Sequence, residues 1–242
     1  MSYIFREHIK QSLAVIAFLI TLTACTSESY DAGDGPNSYL TADLVLLHTS
    51  QDKSVRSALL DDGTTLQFSN PFAQDWLTRP DSVYRALLYY DKTVAASDAA
   101  ASNPTATSIV RARSVRPVSV LRPVEAEDMK TLRTDPVGFE SLWMSKNKSY
   151  INLSLLLKSG KAEADDAMHA LGIVSHGTTT DADRRRTLHL TLYHDQGGVP
   201  AYYTVQQYVS IPTQLLEEAD TVELTLNTYN GKKVMKVAVS NL

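Results

Sequence analysis

From residue 40 onward, apolar and polar side chains alternate with period two over most of the chain. Period two puts successive side chains on opposite faces of an extended backbone and marks half-buried strands. Thr41–Thr49 is almost continuously apolar and predicts a buried strand. Ser54–Leu60 and Thr64–Phe68 flank the turn pair Asp62-Gly63 and predict a hairpin. Asn70–Asp81 is a loop punctuated by Asn70-Pro71 and Pro80-Asp81, and Ser82–Tyr90 is the next strand. Ile109–Val124 closes this first body. It holds the near-repeats VRPVSV and LRPVEA, whose Pro117 and Pro123 lack an amide donor and suit an edge or a bend. Five strands within residues 40–124 predict a small OB-like β-barrel domain.

A second series follows. Ser149–Gly160, Met168–His176 and Pro200–Ser210 read as strands. In Arg185–His194 the leucines 188, 190 and 192 share one face, with His189, Thr191 and Tyr193 on the other. Thr221–Tyr229 and Lys232–Val239 pair across Asn230-Gly231, a strong hairpin signal. Six alternating strands in residues 146–242 predict an antiparallel β-sandwich. Between the bodies, residues 125–145 read as a linker with a short helix. Thr134 or Asp135 caps it, Pro136 takes its first position, and Phe139, Leu142 and Trp143 dock it. The fold class is therefore mainly β, a small OB-like barrel followed by a sandwich. Residues 94–108 are dominated by Ala and Ser without an apolar stripe and read as a loop.

The first residues follow other rules. Arg6 and Lys10 precede the apolar run SLAVIAFLITLTA, which is shorter than a membrane-spanning helix and ends at the chain's one cysteine. Leu22-Thr23-Ala24-Cys25 resembles the bacterial lipobox, where a lipid joins the thiol and the chain is cut before it. Residues 1–24 are then a lipoprotein signal peptide and Cys25 the lipidation site. A secreted protein that used disulfides would want an even count. Residues 25–39 are acidic and rich in Ser, Gly, Asp and Asn, which predicts a flexible tether. The expected address is the cell envelope, anchored to the outer membrane, with its periplasmic or surface face left open.

Charge and motifs narrow the function. The chain carries a net charge of −4, and loss of Arg6, Glu7 and Lys10 with the signal makes it more acidic, against a nucleic-acid role. His169 and His176 bracket ALGIVS. His189 and His194 lie an odd number of residues apart on one strand and face opposite ways. No H-E-x-x-H or paired-cysteine spacing occurs, so no metal or cofactor is expected. Ser175-His176 and His194-Asp195 lie outside any G-x-S-x-G elbow, and no catalytic residue is assigned. Two features point to binding. Arg184, Arg185 and Arg186 form a dense basic run suited to carboxylate or phosphate, or simply a solvated rim. Tyr202 and Tyr203 lead a tyrosine-rich strand that could present an aromatic platform or serve as sheet surface.

Other residues carry a family resemblance. They are Asp61-Asp62-Gly63, the Tyr84-Arg85 strand ending Tyr89-Tyr90, and Asp135-Pro136-Val137. Trp143, Tyr150-Ile151-Asn152-Leu153 and Met168-His169 complete the set. With the lipobox they resemble the NigD-like lipoproteins over nearly the whole mature chain, although the Ala/Ser loop is longer than the pattern needs. The resemblance implies an OB-like domain, a β-sandwich domain and an association with bacteriocin immunity, and brings no catalytic residues. Three readings follow: an envelope lipoprotein that binds a protein or peptide, a glycan- or surface-ligand-binding lipoprotein of a nutrient system, and a hydrolase. The first is the leading expectation.

Overall fold

Among the described residues the alternating runs become fourteen strands. A computed structural model describes residues 40–92, 108–161, 167–216 and 219–239. The segments expected to be a signal peptide (1–24) and a tether (25–39), with Cys25, and almost all of the expected Ala/Ser loop (94–108) lie outside the described residues.

The barrel is built from β1 (Leu40–Thr49), β2 (Val55–Leu60), β3 (Thr65–Phe72), β4 (Val83–Lys92) and β5 (Ser108–Pro117). It closes in the order β1-β2-β3-β5-β4, with β3 and β5 parallel and the other neighbours antiparallel. This is the OB-like arrangement expected. The β2–β3 turn uses Gly63 at φ 88°, a conformation cheap only for glycine. Val45, Leu47, Ala86, Leu88 and Tyr90 fill the interior.

The sandwich takes β6 (Ser119–Val120), β7 (Pro123–Glu125), β8 (Gly138–Met144), β9 (Tyr150–Ser159), β10 (Ala170–Thr180), β11 (Arg186–Asp195), β12 (Tyr203–Pro212), β13 (Thr221–Thr228) and β14 (Gly231–Ala238). One sheet runs β14-β13-β11-β10-β7 and the other β6-β12-β9-β8. Ile151, Leu153, Leu155, Leu190, Leu224 and Leu226 meet between them. Three pairings are parallel, β6 with β12, β7 with β10 and β11 with β13. The last arises because the chain crosses to the opposite sheet as β12 before returning as β13.

Two expectations change. The VRPVSV and LRPVEA near-repeats do not both close the barrel: β5 ends at Pro117, and β6 and β7 are edge strands, one in each sandwich sheet. Pro123 sits on such an edge, as its missing amide requires. The helical turn after Pro136 is instead strand β8. A bulge between Phe139 and Ser141 inserts an extra residue opposite β9. Phe139, Leu142 and Met144 thereby pack on the sandwich core at spacings of three and two, and the first spacing mimics a helix. Asp135 caps no helix; its carboxylate accepts the Gln196 backbone N–H at 2.8 Å. The helical turn in this segment is the 3-10 turn Ala126–Asp128.

Candidate functional site

β9 makes a junction possible. Its odd positions, Ile151 to Leu157, enter the sandwich core, which turns Asn152 and Ser154 to the opposite face. That face is not solvated: Asn152, Ser154 and Ser210 of β12 are at most 1% exposed. Arg85 of the barrel strand β4, with its side chain 1% exposed, reaches across to Asn152 and Ser210, while Glu140 and Gln206 bond Ser154 from the neighbouring strands.

The Arg85 guanidinium donates to both carboxylate oxygens of Asp61, at 2.5 and 2.7 Å. It also donates to Asn152 Oδ1 and Ser210 Oγ, each at 3.1 Å. Asn152 Nδ2 donates to Asp61 at 3.1 Å and Ser210 to Asn152 at 2.7 Å, which closes the network. The Tyr150 ring lies 4.3 Å from the guanidinium carbon, a cation–π contact. Two backbone bonds run alongside, from Asn147 N–H to Asp61 and from Val118 N–H to Arg85. A buried charge is tolerated when its partners are complete, and here a planar fork meets a carboxylate in the geometry it favours.

Beside this staple opens a cleft of about 380 Å³ between barrel and sandwich. Trp143, Tyr89 and Tyr208 give it aromatic walls, and Asp43, Asp62 and Lys146 bring charge. Trp143 and Tyr208 meet edge to face, with centroids 6.3 Å apart. Leu44, Leu87 and Val118 pack behind the rings. Asp43 accepts the Tyr90 hydroxyl at 2.8 Å. Burial, then that bond and the Asp43 charge, push the Tyr90 phenol above its usual range and keep it a donor. Burial pushes Asp62 up, but Thr64 and then the Lys146 ammonium outweigh it and hold the carboxyl below its ordinary value. A recess with apolar walls, a few fixed polar groups and a place at a domain boundary is the usual form of a ligand site.

Residues 120–239 match the family model of the NigD-like C-terminal β-sandwich domain. The chain belongs to the NigD-like family. A NigD-like immunity protein from Bacteroides caccae shares its fold, with a TM-score of 0.59 and 22% identity over 81% of this chain and 91% of that one. A candidate lipoprotein from Bacteroides fragilis gives 0.57 and 15% over 83% and 98%. A protein of unknown function from Bacteroides vulgatus gives 0.56 and 16% over 82% and 90%. At these identities the likeness is one of fold. No curated protein sequence matches the chain. In this NigD-like protein seven of the residues that carried the resemblance converge: Asp61, Arg85, Tyr150 and Asn152 form the staple, and Asp62, Tyr89 and Trp143 line the cleft.

The residues singled out for binding do not come together. Arg184 and Arg185 are exposed in the β10–β11 turn, whose backbone N–H groups are held by the Asp181 carboxylate. Arg186 begins β11 and its N–H bonds Asp220. Tyr202 and Tyr203, 78% and 55% exposed, follow the loop that leaves the far end of β11. Ten residues of β11 separate the two ends by roughly 30 Å.

The histidines divide as their spacing required. His189 Nδ1 faces Glu223 at 3.1 Å and its Nε2 meets Thr179 at 2.8 Å, on the outer face with His176. His194 is buried, its Nδ1 on the Asp135 carbonyl at 2.9 Å and its Nε2 2.9 Å from His169 Nδ1. The His169 and His194 rings stack with centroids 5.2 Å apart. Burial and then His194 hold His169 below the usual imidazole value. Among the described residues, no three of His, Cys, Asp and Glu are placed to hold one metal ion.

Proposed function

We propose that this chain is a non-enzymatic protein of the bacterial cell envelope, anchored by lipid at Cys25, that captures a protein or peptide ligand as a bacteriocin-immunity factor. The observation that carries the reading is the aromatic and acidic cleft whose walls are set by a fully partnered buried ion pair. A site that positions rings and carboxylates on two rigid β bodies is preorganised for binding, since little ordering cost remains when a ligand enters. The family adds support, because one relative of the same fold is described as an immunity protein and another as a candidate lipoprotein. Lipid at Cys25 would hold the cleft at the membrane, where an incoming bacteriocin must pass. A glycan is the second reading, favoured by the Trp143 face beside the Asp43 and Asp62 acceptors.

The test is protection. Cells of a bacteriocin-sensitive strain that make the chain should survive, and cells making Trp143→Ala or Cys25→Ser at equal level should die. Labelled palmitate should enter the wild type and not Cys25→Ser. Equal killing with and without the wild-type chain, together with calorimetric binding of an oligosaccharide that Trp143→Ala abolishes, would replace immunity with the glycan reading.

A further inference from the structure

The barrel is closed by very little where β3 meets β5. Their register runs for three pairs, from Leu66↔Ser108 to Phe68↔Val110. Beyond it the strands part around a cavity of about 520 Å³, lined by Ser69–Phe72 on one side and 111–115 on the other. Each strand keeps its other neighbour. β5 stays on β4 as far as Ala86↔Pro117, and β3 rejoins β2 at Val55↔Phe72 after a bulge. Two strand edges therefore face each other across the gap with no ladder between them. The β5 edge is five residues, or roughly 16 Å, long.

The lining has its own chemistry. Phe72 and Val115 are half-buried, pack on the barrel core and give the gap an apolar floor. Arg111 and Arg113 are exposed and bring two cations to its rim against one neighbouring carboxylate, Asp91, which faces Arg111 across β4 and β5. Arg113 already holds Asp91 through Nε at 2.5 Å, which fixes the direction of its guanidinium. A basic, apolar-floored slot in a chain of net charge −4 is complementary to a ligand unlike the protein's own surface.

The geometry points to a second binding site, a slot between β3 and β5 that takes an extended, acidic segment of a partner polypeptide by strand addition. Main-chain hydrogen bonds to the β5 edge would supply affinity. Period-two side chains would supply selectivity, apolar ones toward Phe72 and Val115 and acidic ones toward Arg111 and Arg113. Arginine on an open edge also discourages copies of a protein from pairing with one another. The slot differs from that passive role in requiring both the acidic charge and the backbone donors of its occupant. It lies on the barrel apart from the cleft and does not depend on the immunity reading.

The experiment uses the full chain and three fluorescein-labelled octapeptides: alternating Val-Glu, alternating Val-Lys, and Val-Glu with alternate amides N-methylated. In fluorescence anisotropy the Val-Glu peptide should bind saturably, at least tenfold tighter than either other peptide. Arg111→Glu should weaken it at least tenfold with the circular dichroism spectrum unchanged. In hydrogen exchange, the peptide should slow the amides of 111–115 and leave those of 141–146 unchanged. Absence of Val-Glu binding, equal affinity for Val-Lys, undiminished affinity for the N-methylated peptide, or protection at 141–146 instead of 111–115 would overturn the proposal. If Arg111→Glu misfolds, the three peptides on the wild-type chain decide the matter.

Discussion

Arg85→Met removes the guanidinium and keeps much of the side-chain stem. The loss falls on four donated hydrogen bonds, two to Asp61 and one each to Asn152 and Ser210. It also leaves the Asp61 carboxylate facing a buried surface without its cation. Breaking a buried ion pair in this way costs about 3–5 kcal/mol. Asp61 keeps 20% of its side-chain surface in water, which offsets part of that cost and places the expectation near 3 kcal/mol. For a unit of roughly 200 residues this lowers the melting temperature by about 6–12 °C. The partner substitution sharpens the test. Arg85→Met with Asp61→Leu removes both charges, and apolar replacement of a whole buried pair is often close to neutral. The double variant should therefore recover most of the lost stability. The assay is chemical denaturation of wild type, both single variants and the double variant, read as a double-mutant cycle. A single substitution costing under about 1 kcal/mol, or a double variant as unstable as the sum of the singles, would refute the staple.

Tyr90→Phe should cost about 1.5–3 kcal/mol in the same assay, because it removes a donor to the Asp43 carboxylate from a side chain 2% exposed; a loss below about 0.5 kcal/mol would show that the bond contributes little. His169 gives a pH dependence whose sign follows from its lowered pKa. The unfolded chain protonates near about pH 6.5, while the folded chain resists until lower pH because burial and His194 disfavour the charge. The stability should be full above about pH 6.5 and fall as the pH drops through the window between the two values. His169→Gln should flatten that part of the curve measured by thermal melting, and an unchanged slope would assign it to other groups.

Much of the fold was legible because period two survives in most strands. β11 shows it plainly: Leu190 and Leu192 are buried while His189 and Thr191 face outward. The hairpin across Asn230-Gly231 formed with Thr228 opposite Gly231. What period two cannot report is what covers the polar face. Asn152 and Ser154 lie on the face of β9 opposite its core positions, yet both are buried, Asn152 against Arg85 of the barrel and Ser154 against Glu140 and Gln206. A signal was present: Arg85 interrupts the apolar strand VYRALLYY, and a charge in mid-strand needs a partner. That partner, Asp61, sits in a turn 24 residues away, and Asn152 is 67 residues away, so neither pairing can be read from local pattern. The β8 bulge hid a strand behind helical spacing. The stacked His169 and His194 were missed for a similar reason, since the contact joins the segment before β10 to the end of β11.

The claim that the junction cleft receives the ligand has a direct optical test. The chain has two tryptophans, and Trp76 lies in the barrel against Tyr84. Trp76→Phe leaves Trp143, in the cleft wall, as the single reporter. Titration of this variant with a bacteriocin that the protection assay identifies as its ligand should give a saturable change in Trp143 emission, with the midpoint that calorimetry gives for the same pair. Calorimetric binding at that midpoint with Trp143 emission unchanged would contradict the account.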